Sequence, residues 1–302
     1  MQLLAKLIYR KNGANMSKNG KITLIAAGAG FALCLAARIA VIIFFTDMKS
    51  GFLYGGNEIW CNILLYAGVL AAGIAAFVLT KNEPVSVNPS EKSCLVIGFA
   101  TLLAAICAGY EGLAETSALT PSVFLIIMDF AWAVYMAALA FTLLYEKSFS
   151  PALGFCYSII GVYCVGRGIY SFMNRMAITT VPEYLAEVLG MVLCACFFAM
   201  FAKLFSGNGE KRTMQGTCLF GVGAGALTLS GSLGIMLAKL FAPADIAERI
   251  TASSRTAEAY YQSKQGAFAY MMTFTPYVNM ALGLLAAVGV AAALKSVKSD
   301  KQ

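Results

Sequence analysis

The chain has 302 residues, of which 60% are hydrophobic and 12% charged, where soluble domains carry about 25% charged residues. The formal net charge is +7 and there is no histidine. This composition excludes a soluble globular domain and lacks the commonest general acid/base and metal ligand, so a non-enzymatic membrane protein without metal or cofactor is expected.

Eight apolar runs, each near the roughly 20 residues needed to cross a hydrocarbon core, fall at 22–46, 58–80, 93–111, 122–145, 152–173, 184–205, 214–241 and 277–294. They predict an all-α, polytopic transmembrane bundle of eight spans in a single domain. The basic tail 1–21 precedes the first run, whose length exceeds a secretory h-region and which no small-residue cleavage pattern closes, so a retained span is expected. Within the tail, Leu3, Leu4, Leu7 and Ile8 share a helical face, with Lys6, Arg10 and Lys11 elsewhere. An interfacial helix and a disordered basic tail both fit.

Between the first and second runs lies FFTDMKSGFLYGGNEIW, whose glycines suit a tight re-entry and whose aromatics suit the interfacial belt. Turn-making explains it without a ligand, and it also forms a rim leading to Glu58 on the next span. Fourteen Lys and Arg fall in 1–21, 81–92, 146–151, 203–213 and 295–302, against five in 47–57, 174–183 and 242–276. That asymmetry places both termini in the cytoplasm. It directs the positive charge to anionic lipid, with no nucleic-acid partner.

All seven prolines lie in loops or in the first residues of a run, so no span carries a proline break. GVGAGALTLSGSLG at 221–234 reads as a small-residue helix-packing stripe, and a glycine-broken helix is the alternative. As a nucleotide loop it fails, because no strand precedes it. The nine cysteines fall in or beside the runs without any C-x-x-C and read as small core residues. CLAARI at 34–39 parallels CVGRGI at 164–169, each followed by a loop and an i, i+4 polar pair, Glu58 with Asn62 and Glu183 with Glu187. A 4+4 duplication is therefore worth testing. The segment 242–276 is too long for a turn and suits a helix over the membrane surface, a candidate lid or partner surface.

With this orientation the intramembrane charges acquire depths. Arg38 and Asp129 lie about eight residues, roughly 12 Å, inside the outer ends of their spans; Arg167 lies about 9 Å in and Glu187 shallower. Glu58, Glu111, Lys239 and Asn279 lie near outer ends. Helical spacing aligns Glu58, Asn62 and Tyr66; Tyr163, Arg167, Ser171 and Asn174; Glu183 and Glu187; and Asp129, Trp132 and Met136. Such faces turn away from lipid. Asp129 needs a cation, and Arg167 is preferred over Arg38 because Tyr163, Ser171 and Asn174 share its face. Two functional readings stay open. One is an outward polar pocket built from Arg38, Glu58, Asn62, Asp129, Tyr163, Arg167, Glu183 and Glu187 that binds or passes a small polar or anionic solute. In it the arginines engage the anion and Asp129 is their counter-charge. The other is a non-catalytic sensor or assembly subunit, with these charges as structural ion pairs and lipid or another membrane protein as partner. An intramembrane enzyme is disfavoured, since no metal cluster or nucleophile–base spacing accompanies the acids.

Arg38 with TDMKSGFLYGGNEIW, together with RGIYSFMNRMAITTVPEYLAE at 167–187, resembles eight-span membrane proteins of Clostridia-type Firmicutes. Asp47, Ser50, Gly51 and Phe52 match the acid, small hydroxyl and Gly-Phe of that family's first outer loop, and Leu53 stands where an aromatic is expected. The resemblance implies a bacterial cytoplasmic membrane and no particular activity.

Overall fold

The computed structural model describes residues 17–41, 58–81, 83, 89–116, 122–175, 182–210, 212–241 and 277–296. Eight helices account for nearly all of them: α1 (Lys18–Ala40), α2 (Glu58–Leu79), α3 (Glu91–Thr116), α4 (Val123–Glu146), α5 (Pro151–Arg175), α6 (Pro182–Phe205), α7 (Thr213–Phe241) and α8 (Tyr277–Lys295). Each contains a stretch long and apolar enough to cross a membrane, so the expected all-α multi-pass bundle is what the chain forms. The tail 1–16 and the segments 42–57 and 242–276 lie outside the described residues, and with them the expectations of an interfacial helix, a rim and a lid.

Local chemistry sets the helix starts. Ser17 Oγ accepts from Gly20 N at 2.9 Å and Ser122 Oγ from Leu125 N at 3.4 Å, satisfying N–H groups that have no partner inside the helix. Ser150 Oγ accepts from Leu153 N at 3.1 Å just ahead of Pro151, and Pro151 and Pro182 both occupy first helical positions, where a missing N–H costs nothing. α4 stops at Lys147, whose φ of 52° is left-handed and whose N–H reaches Leu143 O at 3.0 Å. One boundary differs from expectation. The run expected to end at 111 continues as helix to Thr116, because Glu-Gly-Leu-Ala-Glu-Thr holds no proline, and Glu115 Oε1 accepts the Ser122 N–H at 2.9 Å across the turn. Glu111 is thereby drawn more than a turn inside α3.

Sequence neighbours pair as antiparallel hairpins, α1 with α2, α3 with α4, α5 with α6 and α7 with α8. α7 lies at the centre, packed on α1, α2, α6 and α8, while α8 bridges to α3. Lipid is as apolar as leucine, so close packing and interhelical hydrogen bonds, not transfer out of water, hold such a bundle. Small residues make the approach possible. A side chain at Gly221 would collide with Val290 and Phe197, and one at Gly225 would meet Gly283 O and Ala287. α7 runs unbroken through this stripe, which is the packing reading of 221–234. Thr101 Oγ1 and Tyr157 Oη, 2.9 Å apart, tie α3 to α5; Gln215 Nε2 donates to Phe77 O at 3.0 Å and ties α7 to α2. Phe149, Tyr157, Phe197, Phe201 and Phe205 form a ring-on-ring cluster at the end where α5 starts. All nine cysteines are free and buried or half-buried.

The two ends differ in character. Where α1, α3, α5 and α7 begin, charges sit at the surface: Lys147 with Glu91 at 3.3 Å, Lys203 with Glu210 at 2.7 Å, and Ser17 hydrogen-bonded to Glu83. The Lys203 ammonium holds the Glu210 carboxyl below the usual carboxylate range. Toward the opposite end, among the described residues, Arg38, Glu111, Asp129 and Arg167 are buried.

Candidate functional site

Four helices build a polar network at that end. Arg167, late on α5, donates from Nη1 to Asp129 Oδ1 on α4 at 2.9 Å, and from Nη2 it forms a charge-assisted hydrogen bond to Glu111 Oε2 on α3. Tyr163, one turn before Arg167, accepts from the same Nη1 at 3.0 Å and donates its own proton to Asp129 Oδ1 at 2.8 Å. Glu111 Oε1 accepts the Val278 N–H at 2.7 Å, in the first turn of α8. That N–H belongs to the set a helix cannot satisfy internally, and a carboxylate there also meets the positive end of the helix dipole. One guanidinium and two carboxylates thus tie α3, α4, α5 and α8 together.

Backbone proximity allows it. A Cβ at Gly112 would lie 3.3 Å from Asp129 Cβ, so α3 and α4 touch where their acids meet. Trp132 tilts over Tyr163 with ring centroids 5.4 Å apart and closes the network from within. Outside it, Tyr110 meets Tyr277 edge-on and Phe124 stacks on Tyr170, half-exposed rings of the kind that gather at a membrane interface. Relative exposures of 0% for Tyr163, 2% for Asp129, 5% for Arg167 and 9% for Glu111 make the site dry. In so low a dielectric each bond is strong, and each charge depends on its partners.

The sequence candidates do not gather into one place. Asp129, Tyr163 and Arg167 meet as the preferred pairing has it. Glu187 accepts from Ser171 Oγ at 3.1 Å, a separate α5–α6 contact. Arg38 is 2% exposed on α1, which packs on α2 and α7, away from the network. Asn62 lines an open groove of about 470 Å³ along α2 with Ile63, Tyr66, Ala67 and Leu70. Its Oδ1 is buried and has no hydrogen-bond partner among the described residues. The side chains of Glu58, Glu183, Asn174 and Lys239 lie outside the described residues.

Glu111 is the network residue that the sequence reading left at a rim. With α3 running on to Thr116 and α4 starting at Val123, Glu111 and Asp129 lie at similar depth in an antiparallel hairpin, which the run ending at 111 did not show. Comparison with protein families, with curated proteins and with solved structures finds no match. Fold and site define the class alone, a multi-pass helical membrane protein with a buried acid–arginine network at one end.

Proposed function

We propose that this chain is a non-catalytic subunit of a bacterial cytoplasmic membrane, a sensor or assembly component, in which the Glu111–Arg167–Asp129 network fastens helices and no solute is bound at Arg167. The carrying observation is that the guanidinium faces two carboxylates in a dry site, which leaves no excess positive charge for an anion. Thermal melting of the purified protein with a panel of small carboxylates and phosphates tests this. A ligand at 100 times its Kd adds about 2.7 kcal/mol to stability, so no member of the panel is expected to raise Tm. A rise that Arg167→Lys abolishes overturns the reading.

A second reading, solute binding or passage, draws support from the open groove beside Asn62, a polar side chain set among apolar ones. A Tm rise lost in Asn62→Leu and retained in Arg167→Lys would favour it. Both readings keep the termini cytoplasmic. Lys18, Lys21, Lys81, Lys92, Lys147, Lys203, Arg212 and Lys295 all lie at the end opposite the network, which supports that orientation. Cysteines introduced at 50, 118, 178 and 255 are expected to react with an impermeant reagent from outside, with 88, 148, 208 and 299 protected. First labelling at 88 or 208 reverses the orientation.

A further inference from the structure

We infer that the network is a proton-binding site, in which the two acids Glu111 and Asp129, set against the single guanidinium of Arg167, together hold one exchangeable proton. The inference goes beyond the fastening role, since a fastener needs only the pair. Charge comes first. Among the described residues, the groups facing one another are Glu111 and Cys107 from α3, Asp129 from α4, Tyr163, Cys164 and Arg167 from α5, and the Val278 N–H from α8. Arg167 is the one cation among them, so with both acids ionised the site would carry a net negative charge inside the membrane. Two carboxylates against one guanidinium cannot both stay ionised cheaply in a dry site, and the proton then belongs to the pair.

The hydrogen bonds point the same way. Glu111 Oε1 takes the Val278 N–H and Oε2 takes Arg167, while Asp129 Oδ1 takes both Tyr163 and Arg167. Among the described residues nothing donates to Asp129 Oδ2, although the Asp129 side chain is 3% exposed. A carboxylate oxygen without a donor is poorly held as an anion, so these hydrogen bonds do not supply what a second negative charge would need. A metal cation fits worse, because even small hard cations take about six oxygen ligands, and three of the four carboxylate oxygens here are already occupied by donors. Uptake is a simple transfer from hydronium to carboxylate, leaving water and a neutral network of one guanidinium, one carboxylate and one carboxyl group.

Infrared spectroscopy of the full chain in sodium-free nanodiscs at neutral pH tests this. The expected result is a protonated-carboxyl C=O band that shifts in D2O and disappears in both Glu111→Gln and Asp129→Asn, because either amide leaves a balanced pair with Arg167. Absence of the band from the unsubstituted protein, its persistence in both variants, or its loss on adding sodium overturns the proposal. Should an amide variant not fold, unfolding of the unsubstituted protein in SDS at constant pH must release a proton, and no release overturns it equally. These readouts are independent of the solute panel, so failure here leaves the fastening role standing and failure there leaves the proton.

Discussion

Arg167→Leu is expected to destabilise the protein more than removal of either acid. It strips the cation from a pair of acids that are each nine-tenths buried, and breaking a buried pair from one side costs about 3–5 kcal/mol. Asp129→Asn is milder, about 1 kcal/mol, because Glu111 still balances Arg167 and the amide oxygen still accepts from Tyr163. Glu111→Gln falls in the same range, losing the dipole interaction at the start of α8 while keeping an acceptor for Val278. Placing both amides in the Arg167→Leu background removes the stranded charge, so stability returns part of the way. The coupling is expected at about 0.5–3 kcal/mol in a cycle read by SDS unfolding or detergent melting. Strict additivity would show that the groups do not interact. The same cycle between Asp129 and Arg38 is expected to be additive, since α1 packs on α2 and α7 and not on α4.

What was legible in the sequence was whatever depends on one helix at a time. Apolar runs gave eight helices because length and hydropathy alone decide what crosses a bilayer. The Asp129–Arg167 pairing followed from depth plus the i, i+4 companion Tyr163, both single-helix properties. Glu111 escaped because its place depends on a helix end, and the end moved when Glu115 bonded across the turn to Ser122. The capping of α8 by an α3 side chain was also illegible, because residues 111 and 278 are brought together only by the tertiary contact of α3 with α8. So was the dispersal of the polar candidates: Arg38, Asn62 and Arg167 all lie in the outer parts of their spans by sequence, but position along a helix says nothing about which neighbour the helix has. The proposed repeat meets the same limit. α6 packs along α7, whereas α2 and α3, their counterparts in a 4+4 arrangement, show no comparable packing among the described residues.

Gly154→Ala should be among the most damaging single-methyl additions in the described chain. A Cβ there would sit 2.7 Å from the carbonyl carbon of Phe205, 2.8 Å from Ser206 N and 3.0 Å from Phe205 O. All three are backbone atoms, which no rotamer change can move, so α5 and α6 must part where Phe205 also joins the aromatic cluster with Phe149 and Phe201. Overpacking of this kind costs about 1–3 kcal/mol, and the upper part of that range applies when backbone must yield. Gly283→Ala provides a graded comparison. Its Cβ would lie 2.0 Å from Thr228 Oγ1, a side-chain atom that Thr228→Ala removes, so the second substitution should relieve the first. No equivalent relief exists for Gly154. Gly28 has nothing within 4 Å of its would-be Cβ, and Gly28→Ala should be neutral or slightly stabilising through helix propensity. Melting temperatures of the three variants in one detergent are therefore expected in the order Gly28→Ala, Gly283→Ala, Gly154→Ala from highest to lowest. A Gly154→Ala protein that melts with the parent would mean that α5 and α6 do not cross as closely as the backbone distances require.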